Sequence, residues 1–157
     1  MGLSEEQMRF VEFHMTTIGY LLANYKTLGK DALAVASNYF YELGKFQGQR
    51  VKQKMGVSAD DANAVAAVMD AVLEKATGAE VTVRADGDKV IVKGAGFCPM
   101  MEAVRLMKAP WDIVCKNISW RWFEGIAAGV NSKATLEVPE SRIWGKKCCL
   151  HIVTVPK

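Results

Sequence analysis

Several kinds of segment are missing from this sequence, and each absence removes a class of function. No apolar run is long enough to cross a bilayer, so a membrane-spanning chain is not expected. The opening residues Met1 to Glu6 are acidic and lack an apolar h-region, so a secretory leader is not expected either. Basic residues are scattered: the net charge is +3, and Lys146-Lys147 is the one tight pair of the C-terminal half. Without a basic arm or stripe, neither nucleic acid nor an anionic membrane surface is an expected partner. No Cys-x-x-Cys pair occurs, although structural zinc sites usually show such spacing. Repeats, low-complexity tracts and linkers are absent too.

What is present fits one domain, residues 1–157, with half of the residues hydrophobic and 24% charged. The four cysteines are Cys98, Cys115, Cys148 and Cys149. A chain of this length does not need disulfide staples, so free thiols and a cytoplasmic location are expected.

The period of the apolar residues divides the chain into a helical part, 1–77, and an α+β part, 78–157. Ser4 followed by Gln7 is a capping-box pattern, and Met8, Val11, Met15, Ile18 and Leu21 then recur at helical spacing to about residue 23. A second helix is expected over 30–55 and a third from Ser58, its start favoured by Asp60 and Asp61. One row of the second helix, Ala36, Phe40, Gly44 and Gly48, is small enough for another backbone to approach closely. Alternating runs at 81–85 and 89–93 flank Asp86-Gly87-Asp88, a hairpin signal. Helices follow over 99–108 and 110–128, then strands over 134–138 and 147–155. The expected fold is α+β: an antiparallel sheet of about four strands with helices packed on it, in the order ααα-ββ-αα-ββ.

Chemistry concentrates late in the chain. Cys98 stands at the N-cap of the helix opened by Pro99, where orphan N–H groups and the helix dipole favour a thiolate. Gly94-Ala95-Gly96 before it lets the backbone bend close to a ligand, but it lacks the lysine of a P-loop and the third glycine of a dinucleotide fingerprint. Glu102, one turn on, is a candidate general acid or base, or a helix cap. Trp111, Cys115, Ile118 and Trp122 form one stripe, either core or the wall of a ligand pocket. On the last strand, alternation puts Cys149 and His151 on one face and Cys148 on the other. A thiol and an imidazole two residues apart can ligate a metal or act as nucleophile and base. His14, on the apolar arc of the first helix, reads as a satisfied core histidine.

The stretch Phe97-Cys98-Pro99-Met100-Met101-Glu102-Ala103 resembles the Cys-Pro motif that opens a helix in the L-2-amino-thiazoline-4-carboxylic acid hydrolase-like family. Cys115 resembles that family's second cysteine, and Cys149, within Gly145-Lys146-Lys147-Cys148-Cys149-Leu150-His151, its third. Lys146 stands where that terminal strand has Asp. The 4-vinyl-reductase domain, a small-molecule-binding relative, shares the arrangement. The resemblance implies a sheet with helices, often dimeric, and three converging cysteines. As an enzyme, the chain would be a hydrolase in which Cys98 attacks the C=N carbon of a cyclic amidine or thiazoline while His151 or Glu102 moves protons. As a binder or sensor, it would hold a small molecule, a haem-like group, or a metal such as zinc or iron on Cys98, Cys115 and Cys149, with Trp111 and Trp122 framing the site. A homodimer is expected in either case. In a third reading the chain is a structural partner: the Ala36–Gly48 row would be its dimer face, with Trp120 and Trp144 as interface anchors.

Overall fold

Ser4 starts the first helix as its spacing predicts. Its hydroxyl accepts the Gln7 N–H at 3.1 Å, and the Gln7 side chain accepts the Ser4 N–H at 3.0 Å. In the computed structural model this helix, α1, runs Glu5–Leu28, a turn longer than the apolar spacing alone marks. The structure describes residues 2–76 and 78–157, the side chains of Lys75 and Ala76 excepted, so the boundary residue Thr77 lies outside the described residues. Gly29, at φ 61, turns the chain directly into α2, Lys30–Lys54. Helix α3, Ala62–Ala76, starts later than Ser58 because the Asp61 carboxylate accepts the Ala64 N–H at 2.9 Å and caps it there.

Strands β1, Val81–Asp86, and β2, Lys89–Gly94, form the expected hairpin, with Asp86 opposite Lys89. Gly87 and Asp88 occupy the centre of the turn, and Gly87 supplies the positive φ, 62°, that its first position requires. Helix α4, Pro99–Met107, precedes a longer helical run over 111–128. That run comprises α5, Trp111–Val114, a π-helical turn, Cys115–Ser119, and α6, Trp120–Ala128. Strands β3, Thr135–Glu140, and β4, Cys149–Thr154, complete an antiparallel sheet of order β1-β2-β4-β3. Pairing of β3 with β4 shifts between Glu137 and Glu140, a bulge that accommodates Pro139, which has no N–H to give the ladder. The α+β architecture and the order of its elements are those the sequence predicts.

Two buried clusters hold these layers together. Val65, Met69 and Leu73 of α3 pack with Ile126 of α6 against Val90, Val92 and Val153 of the sheet. Val11, Ile18 and Leu21 of α1 pack with Met100 and Val104 of α4 and with Val114 and Ile118. Between the clusters, α2 crosses α6 in the most extensive contact between elements among the described residues. The small row identified in α2 is used inside the molecule, which corrects its reading as a dimer face. Gly44 lies against the Trp122 carbonyl and Gly48 against that of Ile126, while Gly125 and Gly129 meet the carbonyls of Tyr41 and Lys45. No helix among the described residues is long and apolar enough to cross a membrane.

A Cβ at Gly125 would overlap the Tyr41 carbonyl, and overpacking of this kind costs about 1–3 kcal/mol. At this chain length each kcal/mol moves Tm by about 2–4 °C. Gly125→Ala is therefore expected to melt about 2–12 °C below the parent. Gly19→Ala is expected to melt slightly above it, because only Met107 Cε lies near, at 3.6 Å, and alanine is the better helix former. Calorimetry of the two variants checks the contrast.

Candidate functional site

The N-terminus of α4, the π-helical turn that follows α5 and the start of β4 bring three of the four cysteines within electrostatic influence of one another. Cys98 is the N-cap of α4, with extended backbone (φ −138°, ψ 108°) and Pro99 behind it. Its sulfur makes no capping hydrogen bond. Burial pushes the Cys98 thiol up, outweighing the downward pull of the Met101 and Met100 main chain and of Arg142. Cys115, buried at the head of the π-helical turn, is pushed up to about 12, first by burial and then by Cys98 and Cys149. The mutual influence of the three sulfurs places them within electrostatic reach of one another.

The π-helical turn has a side-chain support. Asn117 Nδ2 donates to the Ile113 carbonyl at 2.7 Å, and Ser37 Oγ of α2 donates to Asn117 Oδ1 at 2.7 Å. Carbonyls loosened by the widened turn thus keep partners, and such turns recur at functional sites.

Cys149 is the most polar of the cluster. Its sulfur accepts the Arg142 N–H at 3.4 Å and lies 3.7 Å from Ser141 Oγ. Cys148 is separate, 3.7 Å from a Glu140 carboxylate oxygen. Among the described residues no three His, Cys, Asp or Glu side chains are arranged to hold a metal ion. The three expected ligands, Cys98, Cys115 and Cys149, are neighbours without forming a metal cage.

The expected proton carriers stand in other surroundings. His151 is 6% exposed, stacks on Phe123 with ring centroids 4.6 Å apart, and has Nδ1 buried without a hydrogen bond. Burial lowers its pKa to about 4. Glu102 is ion-paired with Arg105 at 2.7 Å. Glu102 donates its backbone N–H to the Cys98 carbonyl at 3.1 Å, but among the described residues neither side chain is hydrogen-bonded to the Cys98 thiol.

Cys98 also faces a cavity of about 820 Å³ that the sequence does not announce. Its walls are Phe13 and Tyr20 of α1, Ala36 and Phe40 of α2, Trp122 and Phe123 of α6, and the start of α4. Trp122 Nε1 donates to Gln47 Oε1 at 2.6 Å, which satisfies the indole within an apolar wall. Of the two framing tryptophans, Trp122 lines this cavity, whereas Trp111 packs into the α1–α4 cluster. His14 is also part of the wall rather than closed core; it sits edge-on to Phe13, and burial lowers its pKa to about 4. Sequence reasoning missed Arg142, whose guanidinium donates to the Gly96 carbonyl at 2.8 Å. No motif marks it, and the cavity depends on how far apart two helices lie.

No family model matches this chain, and no curated protein matches it. Among solved structures it is similar to trafficking protein particle complex subunit 3 from Naegleria fowleri, in a crystal structure where that subunit is covalently bound to palmitic acid. The TM-score is 0.56 at 16% identity, and the match covers 94% of this chain and 95% of that one. The likeness shows a shared fold.

The histidines give a pH prediction. Unfolded, each titrates near about 6.5, but folded His151 and His14 titrate near 4. Below about pH 6.5 the unfolded chain takes up protons that the folded chain refuses, so stability is full above that pH and falls toward pH 4. For His151 the loss is roughly 3 kcal/mol. His151→Phe should flatten this fall in denaturant titrations at pH 7 and pH 4.5.

Proposed function

We propose that the protein is a binding module that holds a long, flexible apolar chain, with a fatty acyl chain as the ligand chemistry, in the cavity between α1, α2 and α6. The observation that carries this reading is the cavity itself: about 820 Å³, walled largely by aromatic and aliphatic side chains and reaching Cys98. Small-molecule pockets run from about 300 to 1,000 Å³. Burying roughly a dozen methylenes supplies about 10 kcal/mol, enough to offset the ordering of the chain. Similarity to a subunit crystallised with covalently bound palmitic acid supports the view that this fold accommodates an acyl chain. Large apolar side chains remain exposed at the rim, Tyr20 at 76% and Val35 at 70%, and the expected homodimer would pack there.

The convergence of Cys98, Cys115 and Cys149 favours a second reading, the hydrolase of the resembled family. In that chemistry Cys98 attacks the C=N carbon of a cyclic amidine or thiazoline. It calls for a thiolate, which burial opposes, and for a proton carrier in contact with Cys98.

Native mass spectrometry of lipid-stripped protein mixed with palmitic acid separates the two. The binding reading expects one acid per chain, retained in Cys98→Ser and lost in Ala36→Trp, which fills the cavity. Absence of any adduct on the parent protein would refute it, and turnover of a thiazoline abolished in Cys98→Ser would establish the hydrolase instead.

A further inference from the structure

Basic residues are scattered along the sequence, but the fold gathers four of them. Lys45 and Lys52 of α2, Lys133 of the turn before β3 and Lys157 after β4 line one polar cavity of about 450 Å³. This cavity shares no lining residue with the apolar chamber. Asp60 is the one carboxylate side chain in its lining. Lys52 Nζ donates to the Val130 carbonyl at 3.2 Å, which ties α2 to the segment after α6. No ion pair among the described residues involves a lysine, so the cavity holds a surplus of three positive charges. Ammonium groups gathered around one hollow repel one another, and an anion placed among them replaces that repulsion with attraction.

The shape of this hollow is fixed from within. Asn131 is 7% exposed, and its Nδ2 donates at 3.0 Å to the carbonyls of both Asp60 and Pro156. Its Oδ1 accepts the Lys133 N–H at 2.9 Å. One buried amide thus joins the three chain segments that carry Asp60, Lys133 and Lys157. The hydroxyls of Ser58 and Ser132 also line the cavity and add neutral donors to the charged ones.

We propose that this cavity is a binding site for a diphosphate group carried on a small soluble molecule. A single phosphate carries about −1.5 to −2, short of the surplus, whereas two phosphates match it. Lysine suits phosphate oxygens because its ammonium is a compact charge with three donors and no acceptor. A concave site fits a free molecule, where a bilayer surface calls for a flat basic face. The inference is independent of the chain-binding reading and stands whether or not the apolar chamber holds a hydrocarbon.

The test is isothermal titration of the full chain at pH 7.5 and about 0.15 M salt. The probes are inorganic pyrophosphate and inorganic phosphate, and the variants are Lys45→Gln, Lys133→Gln and Lys89→Gln. Lys89, an exposed residue of β2 outside the cavity, controls for net charge. The expected result is one pyrophosphate per chain, bound about tenfold more tightly than phosphate or better. Lys45→Gln and Lys133→Gln should each weaken pyrophosphate about tenfold, and Lys89→Gln less than about twofold. The Lys133 side chain is exposed, so Lys133→Gln should melt with the parent, which separates lost binding from lost fold. No saturable binding of pyrophosphate by the parent, or equal weakening in Lys89→Gln, would overturn the site. Equal affinity for the two anions would overturn the diphosphate assignment. Sedimentation with vesicles containing a bisphosphorylated phosphatidylinositol is expected to leave the protein in solution. Vesicle binding that Lys133→Gln abolishes, with no binding of pyrophosphate, would overturn the assignment to a soluble molecule.

Discussion

The crossing of α2 on α6 is the constraint on which the other parts depend. Gly44 and Gly48 on one helix, and Gly125 and Gly129 on the other, bring two backbones to a separation that no side chain permits. Each glycine costs helical stability, roughly 1 kcal/mol relative to alanine, and that cost is offset by close backbone packing. The crossing takes up only the Gly44–Gly48 end of that row of α2. The other end of the row, Ala36 and Phe40, lines the cavity together with residues of α1. The same crossing fixes α6, and with it Trp122 and Phe123, as the cavity floor.

The site combines two environments. Cys98 lines the apolar chamber, while Cys149, Ser141 and Arg142 form a polar seam at the end of the sheet, outside the chamber's lining. Burial dominates the titration of Cys98 and Cys115, so these thiols are quiet near neutrality even beside a cation. His151, stacked on Phe123 and resistant to protonation, acts as an aromatic packing element between sheet and α6.

What was legible in the sequence was what short stretches decide for themselves. The Ser4–Gln7 box, the Gly87 turn and the Pro99 helix start each follow from the backbone needs of a few adjacent residues, and the structure has all of them. The neighbourhood of Cys98, Cys115 and Cys149 followed from resemblance to a motif, not from spacing. The cavity was not legible, because the apolar face of α1 reads the same whether it meets a protein core or a ligand chamber. Nor was the π-helical turn, since its support comes from Ser37, eighty positions before Asn117. Arg142 looked like any loop arginine until the chain placed it against Gly96.

The central claim is that an apolar chain lies in the chamber floored by α6, and Trp122 lies in that floor as a built-in reporter. Tryptophan emission should be titrated with a fatty acid brominated in mid-chain, in the parent protein and in Trp122→Phe. The account predicts saturable quenching in the parent, most of it absent in Trp122→Phe although that variant still binds the unbrominated acid. Quenching that is undiminished in Trp122→Phe would put the chain elsewhere on the protein and contradict the account.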